Sequence, residues 1–258
     1  MLCVASVADQ GVDVEHIIQD AGSKGDIKTL VAERQNARLF VERDEGMYDA
    51  INRGLRRATG EICAYLNCDE QYLPGALGQV AEFFNRRPDI DVLFGDLIVT
   101  DTTGRPLSYR RTVLPTRNHV RFVHLNTATC ATFFRRKLLD RGFYFDPQWK
   151  VIGDAVWIDK LLNNGVPMTT IHAPLSAFAF TGQNLGATAD ARSEGERWKA
   201  LSGGSCAQTI AAVLWHRLRK ALAGAYVYRD VDVAIYTADS NSQRRLRRAK
   251  RVGFGWPT

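Results

Sequence analysis

Apolar and polar positions follow two alternating rhythms along the first hundred residues of this chain. VEHIIQDAG (14–22) is a short β-rich run closing on turn residues, and GSKGD at its end has loop chemistry. Residues 26–36 carry Ile27, Leu30 and Val31 on one helical face, and ARLFVERD follows as a second strand. From Gly46 to Thr59, Met47, Ala50, Ile51, Leu55 and Ala58 keep the helical period, and Gly60 suits a C-cap. EICAYLN is nearly continuous in apolar residues and predicts a third strand buried on both faces. Pro74 opens another helix that runs to about Asn85, and DIDVLFGDLIVTD reads as a fourth strand.

Strands alternating with helices at this spacing predict an α/β fold with a parallel sheet covered by helices. Ligands of such sheets gather at the carboxyl ends of the strands. The polar groups at those ends are Asp20, Arg43-Asp44 and Asn67-Cys68-Asp69-Glu70, so three acidic strand ends can converge on one cleft. Beyond residue 100 the rhythm is less regular. RPLSYRRTVL reads as a strand, GDAVWIDKLLNNG (153–165) as a helix stopped by Gly165, and PMTTIHAPLSAFAF as a late strand. Residues 208–225 form a helical stripe with Ala211, Leu214, Trp215, Leu218 and Leu222 on one side and Arg217, Arg219 and Lys220 on the other. The chain then divides into a domain over 1–205 and a helical extension with a basic tail over 206–258.

Composition narrows the partners. A chain of 258 residues with 45% hydrophobic and 24% charged residues has the make-up of a soluble globular protein. No run approaches the roughly 20 apolar residues that span a bilayer. The opening MLCVASVADQ has no basic leader, so a secretory signal is not expected. Five cysteines, odd in number and without a CxxC pair, fit a reducing cytoplasm better than disulfides or a structural zinc. The net charge is +6, of which residues 239–258 carry +5. The near-neutral body argues against a nucleic-acid partner.

The stretch EGMYDAINRGLRRATGEICAYLNCDEQYLPGAL resembles the inverting family 2 glycosyltransferases, whose members carry D-K-G-x-Y-D-A-x-N-x-G-x-x-x-A-x-G followed by L-N-x-D-D. Glu45, Gly46, Tyr48, Asp49, Ala50, Asn52, Gly54, Ala58, Gly60, Leu66, Asn67 and Asp69 fall on that pattern. VEHIIQDAGSKGD is similar to the family's V-E-x-I-V-I-D-G-G-S-T-D-G, and FDPQWKVIGDAVWIDKLLNNG to a third block near its acceptor site. The likeness covers roughly residues 3–185. It implies a GT-A-like (Rossmann-like) fold, a mixed and mainly parallel sheet flanked by helices. It also implies transfer of a sugar from a UDP- or other NDP-sugar to a glycan or lipid-linked acceptor, with inversion and a divalent metal, Mn²⁺ or Mg²⁺.

The resemblance assigns roles residue by residue. Asp69 falls at the metal-binding acid, with Glu70 as a direct or water-mediated partner; a solvated turn is the alternative for this pair. Asp20 matches the acid that accepts from the nucleotide base, and a turn-capping aspartate is its competitor. Asn52, Arg53 and Asn67 are candidates for the donor phosphate or ribose, though Arg53 equally fits a solvated helix position. Asp96 is a further candidate lining the cleft, or a structural turn residue. Asp154 matches the general base that takes the acceptor proton; as a bare helix-start acid it would only complement the macrodipole.

Two departures from the pattern stand out. The first acid of the metal motif is Asn67, and the family's usual first strand, ending in V-T-x-x-x-N, has no counterpart before CVASVADQ. Three alternatives follow: the true start lies upstream, another segment fills the gap, or a sheet strand stays unpaired with part of the donor pocket open and the protein is impaired. A non-catalytic nucleotide-sugar-binding or scaffold protein is therefore the second reading. At the other end, the helix at 208–225 and the cations of 244–251 offer peripheral contact with anionic lipid at the inner face of the cell membrane. A helix packed on the core with a disordered tail is the alternative.

Overall fold

The computed structural model describes residues 2–257 apart from 24–26, 33, 35 and 183. The expected loop at 24–26, positions 33 and 35 of the second helical run, and the side chain of Leu30 lie outside the described residues. The first half of the chain is α1 (Leu2–Ala8), β1 (His16–Asp20), α2 (Ile27–Ala32), β2 (Ala37–Val41), α3 (Met47–Arg57), β3 (Ile62–Ala64), β4 (Glu70–Tyr72), α4 (Ala76–Arg86) and β5 (Val92–Thr100). Next come β6 (Pro106–Arg110), α5 (Arg117–Phe122), β7 (Thr132–Arg135), α6 (Lys137–Asp140), α7 (Gly153–Asn163) and β8 (Met168–Ala179). The remainder is α8 (Ala189–Ser202), α9 (Cys206–Leu222) and the strands β9 (Arg229–Thr237) and β10 (Ser240–Val252).

The described strands form three sheets. β1 and β2 pair in parallel on their own; β3-β7-β5-β8-β4 form a path in which β5 and β8 are parallel, and β6 joins it along β5. All nine residues of β5 are buried. Its side chains alternate between two cores, as a strand covered on both faces must. Val92 and Phe94 meet Phe134, Leu138, Trp157 and Leu161, whereas Leu93 meets Val80, Phe84, Phe133 and Leu175. Gly95 is required by this packing: a Cβ there would lie 2.4 Å from Leu175 Cδ1.

The sequence elements recur in the expected order, with local differences. α3 ends at Arg57, before Gly60, because Ala58 is extended and the Thr59 amide donates to the Glu15 carboxylate at 2.8 Å. β3 is only three residues long and buried at Cys63 alone, not on both faces. The largest difference is at the C-terminus, where residues 229–252 are an antiparallel hairpin and not a helical or disordered tail. Val231, Val233, Ile235 and Val252 pack on Leu73, Ile98 and Ala177 of the main sheet. Arg244, one of the tail cations, is the rivet. It holds Asp9 with two nitrogens (2.6 and 2.7 Å) and donates to the Tyr72 carbonyl at 2.9 Å. Charge counting reads such an arginine as solvated, but partners from α1 and β4 remove it from solvent.

Candidate active site

α3 is the element from which the site is assembled. Spacing of three and four residues puts Tyr48, Asn52 and Leu55 on its buried face, while Arg53 and Arg57 lie on another. Asn52, 2% exposed, donates to the Phe145 carbonyl at 2.8 Å and accepts from the Phe145 amide at 3.0 Å. The Tyr48 ring lies so close to Gly153 that a Cβ there would sit 2.6 Å from it, and the Tyr48 hydroxyl donates to the Val151 carbonyl at 2.9 Å. Both contacts fasten the start of α7 to the first motif. Asp154 is thereby held beside that motif, about a hundred residues away in sequence.

Asp154 is partly buried at the first turn of α7. It lines a small cavity with Tyr65, Phe145, Trp157, Thr127 and Thr129. Burial among these rings pushes its carboxyl up to about 6, against an Ala155 amide (2.8 Å) and the Tyr48 hydroxyl that favour the charged form. The Tyr65 hydroxyl is buried in the same wall, with no hydrogen-bond partner among the described residues. The loop before α7 is fixed from outside by Glu194 of α8, whose carboxylate accepts from the amides of Lys150 (2.7 Å), Val151 (2.9 Å) and Ile152 (3.1 Å). Sequence reasoning missed Tyr65 and Glu194. Tyr65 sat unremarked inside a strand pattern, and no local signal marks a glutamate that acts 42–44 residues back along the chain.

The acids at the other strand ends fare differently. Asp20 closes β1 and accepts from the amides of Gly22 (3.3 Å) and Ser23 (3.1 Å); the Ser23 hydroxyl, chiefly, holds its carboxyl below the usual range. It has the turn-capping geometry of an Asx residue. Arg53 is half-buried between Asp49 (2.8 Å) and Glu42 (3.3 Å). Asp69 is exposed on the turn after β3, and no hydrogen bond or ion pair holds it among the described residues. Glu70 does not share that turn surface. It is 1% exposed, accepts from the Asn67 amide at 2.8 Å, and burial raises its carboxyl to about 7. Asp96 is a correction as well. It lies within β5 at 0% exposure and accepts from the Tyr109 hydroxyl and the Thr112 amide, both at 2.8 Å, so it does not open on the cleft.

Among the described residues no group of three His, Cys, Asp or Glu is arranged to hold a metal ion. The donor set does fit a cation of the kind that takes one carboxylate and completes its shell with substrate phosphates and water, because Asp69 is exposed and uncommitted. Between the two sheets lies a cavity of about 540 Å³, reached by Ile17 and Gln19 of β1, by Ile62, Cys63 and Ala64 of β3, and by Asn67 and Cys68. β1 pairs only with β2, and β3 only with β7, so each has one unpaired edge among the described strands.

Comparison with known proteins agrees with this architecture. A glycosyltransferase of PGL/p-HBAD biosynthesis from Mycobacterium bovis is 36% identical over 110 residues, covering 40% of this chain and 43% of that protein. An uncharacterized glycosyltransferase of Nostoc is 25% identical over 157 residues, covering 55% and 48%. The chain thus matches under half the length of either relative. Among solved structures, S. aureus TarS 1-349 in complex with UDP superposes with a TM-score of 0.55 at 18% identity, covering 78% of this chain and 60% of that one. That likeness is one of fold, and the GT-A-like α/β class expected from the sequence holds. The sequence profile described as glycosyl transferase family 2 matches residues 2–143, more than half of the chain, which therefore belongs to that family.

Proposed function

We propose that this chain transfers a glycosyl group from a nucleoside diphosphate sugar, in the first instance a UDP-sugar, to a saccharide or lipid-linked acceptor with inversion. The observation that carries the reading is Asp154, a carboxyl raised to about 6 at the head of α7. A base poised near neutrality is what deprotonation of an attacking hydroxyl needs. Asp154 takes that proton as the new C–O bond forms opposite the departing diphosphate. Asp20 receives the base edge of the donor, Arg53 and Asn67 border the phosphates and ribose, and Asn52 keeps α3 seated so that both halves of the cleft stay in register. Asp69 would hold a divalent cation, which when bound neutralises the departing diphosphate. The solved structures with UDP and with UDP-GlcNAc support the donor class, and the free cysteines support a cytoplasmic location.

The test is transfer from a panel of UDP-sugars with Mg²⁺ or Mn²⁺ by the purified chain and two variants. Asp154→Asn and Asp69→Ala should each lower the rate by about 10²-fold or more. Full activity in both removes the mechanism. The cavity between β1 and β3 favours a second reading, a nucleotide-sugar-binding protein without turnover. Calorimetric titration with UDP and Mn²⁺ separates the two: binding with no turnover across the panel supports the second reading.

A further inference from the structure

α9 is seated the opposite way round from an ordinary amphipathic helix. The side turned to the body carries Ala212, His216 and Arg219: His216 stacks on His119 of α5 at 3.8 Å, and Arg219 donates to the Leu114 carbonyl at 2.8 Å. Burial lowers His119 to about 4 and His216 to about 3, so these rings are uncharged near neutral pH. The apolar stripe faces outward. Ile210, Leu214, Trp215, Leu218 and Leu222 are all exposed, Trp215 by 54% and Leu222 by 78%. At the end of α9 the apolar surface continues into exposed Tyr226, Val227 and Tyr228, with Lys220 over the Tyr226 ring (5.0 Å) and Arg251 over Tyr228 (5.8 Å). A soluble surface does not ordinarily present five large apolar side chains along one helix.

The charges around the stripe say what covers it. No Asp or Glu occurs between Glu196 and Asp230, a stretch with six Lys or Arg, and Arg217 is exposed on α9 itself. A second copy of the chain would bring these cations against their own kind. An anionic bilayer surface takes the apolar stripe and the flanking cations together, with Trp and Tyr rings at the level of the headgroups. We infer that α9 and the aromatic segment after it dock this protein on an anionic lipid surface. α9 packs on α5, and α5 packs on α7, which carries Asp154. With the reading of Asp154 as base, on which this last step rests, the acceptor is one displayed at that surface.

Sedimentation with vesicles tests the docking without any sugar donor, so its failure is separate from failure of the transfer reading. Vesicles of phosphatidylglycerol and phosphatidylcholine in equal parts should bind the protein at least about tenfold more tightly than phosphatidylcholine alone. Leu214→Glu with Leu218→Glu changes only exposed side chains and should weaken that binding by about a hundredfold or more, with an unchanged thermal melt. Three results overturn the inference: the same binding by the double variant, no binding by the parent protein, or a concentration-dependent dimer in sedimentation equilibrium that the double variant abolishes, which would put a second copy on the stripe.

Discussion

Nine consecutive residues of β5 are buried, whereas in β1 only Asp20 is, and in β2 none. The proposed chemistry is divided across that contrast. Asp154 stands on a helix packed against the large sheet, while Asp20 stands on a two-stranded sheet that, among the described residues, shares no strand pairing with it. A two-stranded sheet is marginal alone. α3 supplies what joins it to the rest: Tyr48 and Asn52 reach α7 and Phe145, and Arg57 reaches Gln19 of β1 (2.9 Å) and Glu42 beyond β2 (2.5 Å). Asp154, the proposed base, is therefore set by a packed core, and Asp20, the proposed donor contact, by one helix and a few polar bonds.

The contrast breaks if cavities weigh equally on both sides. Phe134 is 1% exposed and tilted against Trp157 at 5.0 Å; Phe134→Ala should lower stability by about 3–5 kcal/mol in a denaturant melt. Ile17 is only partly buried beside the cavity, and Ile17→Ala should lower it by no more than about 1 kcal/mol. Similar losses would show that β1 and β2 are as firmly built as the large sheet.

Glycine substitutions sharpen the same point with one methyl group. At Gly95 a Cβ falls 2.4 Å from Leu175, and Gly95→Ala should destabilise by about 1–3 kcal/mol through overpacking. At Gly54, inside α3, the nearest atom is Ile17 Cγ2 at 3.8 Å. Gly54→Ala should then raise stability by up to about 1 kcal/mol from helix propensity. A loss at Gly54 would mean that β1 and α3 are packed more tightly than their burial indicates.

How much of this was legible follows the same division. Local patterns carried the order of elements and the seat of Asp154, because helix and strand periods survive in sequence wherever one face is buried. What failed was the fate of individual polar groups. Asp96 and Glu70 were both candidates for the cleft, yet Tyr109 and Thr112, 13 and 16 residues on, enclose the one, and Cys130 and Phe178, 60 and 108 residues on, enclose the other. The helix at 208–225 showed its stripe plainly, but nothing local says which face the body takes. Here the polar face docks, since α5 offers His119 and the Leu114 carbonyl as partners. Arg244 likewise became a rivet through Asp9, 235 positions away.

The smallest effect expected is also the most specific to the site. Asp154 titrates at about 6 in the folded protein against 3.8 for an unperturbed aspartate. Between those values the folded state holds the extra proton, so this group makes stability fall as pH rises from about 4 to about 6. Above 6 the ionised carboxyl remains a net loss to the fold. Asp154→Asn should therefore melt higher than the parent at pH 7.5, and the gap should close near pH 4. Transfer by the parent should rise with pH through about 6 and then level off, while the variant keeps its low rate and shows no such rise. A variant that melts lower at pH 7.5 would make Asp154 a structural acid whose charge the fold needs. In that case the base has to be sought on the other side of the cleft, where the sheet is least well held.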